Sequence, residues 1–154
     1  MQQRHSAPLI FCERSGRWAA AWRLAWNRRQ RGAGSRLEIR PLETRSPSEC
    51  LEAIQAVSTA FVVVELTAAD CDRTLDLLFE ISTRRHSAAA AVAAERSMMA
   101  YEWLARESGA VHFLTSPREL QPLNGLIEQF ALRIPQEELD FEQSVWASLP
   151  WGKH

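Results

Sequence analysis

The chain has 154 residues, of which 46% are hydrophobic and 24% charged, and its formal net charge is −1. This length suits one domain with a real core, and the composition is that of an ordinary globular protein. A net charge so close to zero excludes a global electrostatic attraction to nucleic acid or to a membrane surface. No apolar run approaches the ~20 residues that span a bilayer, so we expect no membrane segment.

The cysteines are few and far apart in the sequence: Cys12, Cys50 and Cys71. They form neither a C-x-x-C motif nor a cluster with histidine, so the sequence supports neither a disulfide framework nor a zinc site. The N-terminus has no apolar core of a secretory signal. These features predict a cytoplasmic protein without a metal or a cofactor.

Short apolar runs alternate with longer helical patterns from the start of the chain. Residues 9–12 predict a first strand, residues 17–31 a helix, and the alternating pattern over 37–42 an edge strand. Ser46 and Glu49 have the spacing of a capping box, with proline at the first helical position between them. This motif predicts a second helix that runs to about residue 57.

The middle of the chain contains the strongest and the weakest strand signals. Ala60–Leu66 includes a continuous Phe-Val-Val-Val run, which is typical of a central parallel strand buried on both faces. Residues 70–84 predict a helix with an apolar face of Leu75, Leu78, Phe79 and Ile81. Ala88–Ala94 is helical by propensity. We nevertheless predict a strand there, because the segment lies between two helices at the period of the alternation.

The last units are a helix over 97–107, a strand over 111–115 and a helix that begins near Pro122. Five such units predict an α/β fold with a doubly wound, five-stranded parallel sheet and helices on both faces. Ligands of such folds bind at the carboxyl ends of the strands. Residues 134–154 lie outside this pattern and are predicted to be a C-terminal extension.

One segment carries a family resemblance. Residues 109–120 read Gly-Ala-Val-His-Phe-Leu-Thr-Ser-Pro-Arg-Glu-Leu. This resembles the fifth-strand segment of bacterial response-regulator receiver domains, which commonly reads Gly-Ala-x-x-Tyr-Leu-Thr-Lys-Pro. The resemblance covers residues 8–133 and implies a flavodoxin-like sheet with strand order 2-1-3-4-5, and a role in bacterial signal transduction.

The resemblance also implies where a phosphorylation site would lie. In receivers, carboxylates bind Mg²⁺, an aspartate accepts the phosphoryl group, and a hydroxyl and a lysine contact its oxygens. The corresponding positions in this chain are Cys12, Glu13, Glu65, Ala93 or Ala94, and Ser116. The acidic pair is reduced to one carboxylate, the aspartate is a glutamate, and the hydroxyl and the lysine are missing.

These substitutions imply a degenerate site and no phosphotransfer. Glu65 is either a permanent mimic of the phosphorylated state or a solvated carboxylate in a decayed site. The resemblance further allows a cis peptide bond between Ser116 and Pro117, as in the family.

Two aromatic sets are candidates for binding surfaces. In receivers the face of the fourth helix, fifth strand and fifth helix commonly carries the output contacts, and this implies switch or interaction roles for Phe113, Tyr101 and Trp103. Because Tyr101 and Trp103 cannot both face the same way as Leu104, we expect at least one of them to be exposed.

The second aromatic set is a stripe at i, i+4 and i+8 on the first helix: Trp18, Trp22 and Trp26. A second apolar strip on that helix, Ala20, Ala21 and Leu24, is able to face the sheet instead. The tryptophans are therefore either core or an interface covered by a partner chain or by the tail that carries Trp146 and Trp151.

We therefore hypothesise a non-enzymatic pseudo-receiver that binds a protein partner, or a second copy of itself, independently of phosphorylation. The alternative is a small-ligand-binding protein or an enzyme of flavodoxin-like fold. A third hypothesis, nucleic-acid binding through the arginines around the first helix, lacks any known motif. We expect neither a nucleic-acid nor a membrane partner.

Overall fold

The computed structural model describes residues 5–33, 37–84 and 87–134. Strands and helices alternate along this part of the chain. The first half contains β1 His5–Cys12, α1 Arg17–Ala33, β2 Leu37–Thr44, α2 Pro47–Gln55 and β3 Ala60–Leu66. The second half contains α3 Cys71–Arg84, β4 Ala88–Ala94, a 3-10 helix Arg96–Tyr101, α4 Glu102–Glu107, β5 His112–Leu114 and α5 Gln121–Arg133.

The strands form one five-stranded sheet in the order β2-β1-β3-β4-β5. Every pair in it is parallel. This confirms the predicted fold class and strand order. It also places the carboxyl ends of all five strands at the same edge of the sheet, where the loops that follow β1 and β3 lie side by side.

β4 is the strand that propensity alone would have misassigned. Its sequence is almost entirely alanine, yet it pairs with β3 from Ala88 to Ala94 and with β5 on its other side. Its central and final residues are buried on both faces. Tertiary pairing therefore overrides the helical preference of alanine, as the alternation along the chain predicted.

The helices form a layer on each face of the sheet. α1 and α5 cover one face, while α2, α3 and α4 cover the other. The first layer is tied together by Arg29 of α1, whose guanidinium donates to both carboxylate oxygens of Glu128 on α5 at 2.9 and 2.8 Å. This two-layer burial makes β1, β3 and β4 the apolar centre of the domain.

The tryptophan stripe of α1 belongs to the core. Trp18, Trp22 and Trp26 are buried against β1, β3 and α5, and Trp22 stacks on Trp26 at 5.5 Å between ring centroids. The alternative strip does not face the sheet, since Leu24 is 64% exposed. The interface hypothesis for these three residues is therefore wrong, because the sheet itself covers them. Trp146 and Trp151 lie outside the described residues.

Some details differ from the sequence prediction. Phe79 of α3 is 61% exposed, because the buried face of this helix follows Thr74, Leu77, Leu78 and Ile81. The fourth helical segment begins as a 3-10 helix, and β5 is shorter than predicted. α2 begins as predicted at the N-cap Ser46, whose hydroxyl accepts from the Glu49 amide at 3.2 Å.

The turn from α4 to β5 requires a glycine. Gly109 has φ of +112°, and a Cβ there would collide with the Ser82 side chain of α3. No other residue type combines this backbone conformation with so close an approach. Gly109 therefore fixes how the β5 segment leaves α4 and packs beside α3.

Candidate functional site

A small cavity lies at the carboxyl ends of the strands, where the fold places ligands. Its volume is about 110 Å³, and the residues that end or follow β1, β2 and β3 line it. Charged side chains dominate the lining: Arg14, Arg45, Glu65, Asp70 and Arg73. Cys12 and Glu13 contribute the wall on the β1 side.

The carboxylate of Glu13 is hydrogen-bonded to the start of α1. Its side chain is buried, at 3% exposure, and its two carboxylate oxygens accept hydrogen bonds from the Trp18 and Ala19 amides, each at 2.9 Å. These amides belong to the first turn of the helix and have no partner within it. Burial raises the pKa of Glu13, and the two amide hydrogen bonds oppose that rise. Glu13 therefore acts as a helix cap.

Several of the remaining charged residues of the cavity make local contacts. Glu65 accepts from the Arg14 amide at 3.4 Å, and the Arg14 guanidinium pairs with Asp70 at 2.6 Å. Arg45 donates to the Glu13 carbonyl at 3.2 Å and pairs with Glu43 at 3.1 Å. The lining contains three arginines, Arg14, Arg45 and Arg73, and three carboxylates, Glu13, Glu65 and Asp70, so its formal charges balance.

The other positions of the predicted site offer no polar group to this cavity. Ala93 lies beside Glu65 in the sheet, and both Ala93 and Ala94 are fully buried. A methyl group cannot hydrogen-bond to a phosphoryl oxygen. The Ser116 hydroxyl accepts from the Arg118 amide at 3.2 Å, within its own turn. The Ser116–Pro117 bond is trans, which corrects the cis isomer that the resemblance allowed.

Metal ligation has little support in the described residues. Within the three described ranges, no group of three His, Cys, Asp or Glu side chains converges on a common point. Glu65 is the only one of the two predicted site carboxylates whose oxygens are not both held by backbone amides. One carboxylate is a weak ligand set for Mg²⁺, which prefers several oxygen ligands.

Exposed apolar side chains cluster in the chain segment from the 3-10 helix to the start of β5. Trp103 is 70% exposed and Tyr101 40%, so both aromatics face solvent. Met99, Leu104 and Val111 are exposed in the same segment. We call these five residues the α4 patch. Phe113, by contrast, is buried in the core below α4, at 7% exposure.

Sequence reasoning found the strand-end positions but missed several residues around them. Arg45, Asp70 and Arg73 line the cavity although no motif marks them. The parallel sheet offers a signal in retrospect, because residues that follow β2 and β3 must lie next to those that follow β1. The capping role of Glu13 has no such signal, since it depends on the side chain folding back over its own loop.

The observed architecture defines a doubly wound, flavodoxin-like α/β protein, and known structures narrow this description. A response regulator from Thermotoga maritima matches with a TM-score of 0.65 and 13% identity, over 82% of this chain and 98% of that one. The receiver domain of the TMAO respiratory system response regulator TorR matches with a TM-score of 0.63 and 21% identity, over 84% and 99%. A CheY-like protein, tadZ, from Pseudomonas aeruginosa PAO1 matches with a TM-score of 0.56 and 17% identity, over 84% and 96%.

The chain therefore has the fold of response-regulator receiver domains, as the sequence resemblance implied. No model of a known protein family matches the chain, and neither does any curated protein sequence. None of the helices in the described residues is long and apolar enough to cross a membrane.

The buried carboxyl of Glu13 gives a testable pH dependence. Its folded pKa is raised above the ordinary value of 4.5, so the folded protein holds this proton to higher pH than the unfolded chain. The linked stabilisation is complete below about pH 4.5 and is lost as the pH rises through the folded pKa. We expect the unfolding free energy of the wild type minus that of Glu13→Gln to fall as the pH rises from 4.5 toward neutrality.

Urea denaturation of both proteins at a series of pH values measures this difference. Glu52→Gln on α2 is the control for the loss of one carboxylate as such, because Glu52 is an exposed glutamate. A flat or rising difference for Glu13→Gln would contradict a buried, proton-retaining carboxyl.

Proposed function

We propose that this chain is a non-enzymatic pseudo-receiver that acts in signal transduction or regulation through protein contacts and independently of phosphorylation. The receiver fold supports the general role, and the strand-end site supports the loss of phosphoryl chemistry. Three features of the site support this loss independently. The Glu13 carboxylate is already hydrogen-bonded to backbone amides, the hydroxyl of receivers is missing, and so is their lysine ammonium.

The observation that carries the proposal is the pair of hydrogen bonds that the Glu13 carboxylate accepts from the start of α1. Phosphoryl transfer to a receiver aspartate needs Mg²⁺ held by carboxylates beside the acceptor. Each oxygen of Glu13 already accepts a buried hydrogen bond, and a metal that drew the carboxylate away would leave the Trp18 and Ala19 amides without a partner. An unsatisfied buried donor costs about 1–3 kcal/mol, so metal binding here opposes folding of α1.

Ala93, Ala94 and Ser116, which occupy the positions that would contact phosphoryl oxygens, also support the loss of phosphoryl chemistry. Ala93 and Ala94 are buried and carry no hydroxyl, and the Ser116 hydroxyl is engaged in its own turn, so the hydroxyl and the ammonium that receivers place at these positions are missing. Glu65 itself remains open to either of the two roles predicted for it, a mimic of the phosphorylated state or a solvated carboxylate.

The size of the strand-end cavity argues against a small-molecule site at this edge of the sheet. Sites for small molecules usually enclose roughly 300–1,000 Å³, whereas this cavity has about 110 Å³. Two of its arginines are also engaged in ion pairs, Arg14 with Asp70 and Arg45 with Glu43 of β2.

The α4 patch supports an interaction role. Aromatic residues are favoured anchors of protein interfaces, and Trp103 is almost fully available to a partner. The patch lies on the α2–α3–α4 layer, opposite the layer formed by α1 and α5. We propose that it binds a protein partner or a second copy of the chain.

Phosphorylation is tested with a small-molecule donor. We expect no change in intact mass when the full chain is incubated with acetyl phosphate and Mg²⁺, because the site lacks the metal ligands and donors that transfer requires. A competent receiver domain, treated in parallel, should gain one phosphoryl group. Appearance of the phosphorylated mass in this chain would refute the proposal.

The interaction face is tested by mutation. We expect Trp103→Ala to abolish recovery of a protein partner from the native host, or concentration-dependent self-association, without changing the urea unfolding midpoint. Leu24→Ala is the matched control, since Leu24 is similarly exposed, at 64% against 70%, but lies on α1 in the opposite layer. Retention of all association by Trp103→Ala would place the binding surface elsewhere.

A further inference from the structure

Two cysteines that lie far apart in the sequence meet beside the strand-end cavity. Cys12 is the last residue of β1, and Cys50 lies in the first turns of α2. Both are buried, at 7% and 0% exposure, in the same core cluster between the sheet and α2. The Cys50 amide donates to the carbonyl of the N-cap Ser46 at 3.0 Å, which closes the first turn of α2.

The two thiols interact with each other inside this cluster. Both also interact with the hydroxyl of Thr44, the last residue of β2 and the register partner of Cys12. Thr44 is itself fixed, because its hydroxyl donates to the Phe11 carbonyl at 2.8 Å. The cysteines are thus adjacent side chains on elements that the sheet and the helix cap hold in place.

The environments of the two sulfurs differ. The interaction with Cys50 lowers the pKa of Cys12 against the opposing effect of burial. The interaction with Cys12, together with burial, raises the pKa of Cys50. The Cys12 thiol therefore ionises more readily than the Cys50 thiol. A thiolate is the nucleophile in thiol chemistry.

Cys12 is also the cysteine of this pair that a small reagent can reach. It lines the cavity of about 110 Å³, and Cys50 does not. A water molecule occupies roughly 30 Å³ in the liquid, so the cavity admits a molecule the size of hydrogen peroxide. The guanidinium of Arg14 lies in the same lining and is paired there with Asp70.

We propose that Cys12 and Cys50 are a redox modification site, in which a peroxide oxidises Cys12 and Cys50 then closes an intramolecular disulfide. In the first step the Cys12 thiolate attacks a peroxide oxygen, the O–O bond breaks, and the released hydroxide takes up a proton to leave as water. Cys12 becomes a sulfenic acid. In the second step the Cys50 sulfur attacks the Cys12 sulfur, the S–O bond breaks, and a second water leaves with the Cys50 proton. Two thiols are oxidised and one peroxide is reduced to two waters.

This modification goes beyond the proposed function. It links the end of β1 covalently to α2, at the strand-end edge that phosphorylation occupies in receivers. A thiol reductant reverses it, so the state of the cavity wall would follow the redox conditions. The site does not depend on whether the α4 patch binds a partner.

The test uses the full chain and hydrogen peroxide. After treatment, free thiols are blocked with N-ethylmaleimide under denaturing conditions and the labels are counted by intact mass. The reduced protein should carry three labels, one for each cysteine. The oxidised protein should carry one, on Cys71, with a Cys12–Cys50 cross-linked peptide that dithiothreitol removes.

Variants separate the two steps. Cys71→Ser should still lose two labels, because Cys71 lies on α3 and takes no part. Cys50→Ser should stop at the sulfenic acid of Cys12, which dimedone traps. If that variant does not fold, the peptide map of the wild type decides alone. Three labels after peroxide treatment, or a disulfide through Cys71, would overturn the proposal.

Discussion

Two hydrogen bonds from the Trp18 and Ala19 amides to the Glu13 carboxylate join the start of α1 to the end of β1. They orient the helix so that its tryptophan stripe lies on the sheet, and they close the β1 side of the strand-end cavity. The same contacts engage both oxygens of Glu13 in hydrogen bonds. Glu13 thus stabilises the start of α1 at a position where receiver domains use a carboxylate to bind Mg²⁺.

The rest of the strand-end edge is consistent with that constraint. Arg14 pairs with Asp70, Arg45 pairs with Glu43, and Ala93 lies beside Glu65 in the sheet. The reactivity that we propose for this edge belongs to sulfur, because Cys12 lines the cavity.

The sequence was sufficient to predict the sheet and its order. β-branched runs, a helix cap at Ser46 and the regular alternation of units determine those features, and even the polyalanine β4 followed from its place in the order. The buried face of α1 was not predictable, because the helix has two apolar strips. One contains the three tryptophans and the other contains Leu24, and only the packing shows which of them faces the sheet. The contacts of Glu13 and of the two cysteines depend on side chains from different elements, which no local pattern records. The peptide isomer before Pro117 likewise depends on the surrounding loop.

The central claim is that the Glu13 carboxylate caps α1 and does not bind a metal. The most direct test is to follow the backbone amide resonances of Trp18 and Ala19 by NMR while Mg²⁺ is added to the full chain. The account predicts that both resonances stay in place, since the carboxylate remains bound to these amides. Saturable shifts of both resonances, absent in Glu13→Gln, would show that the carboxylate leaves the helix for the metal and would contradict the account.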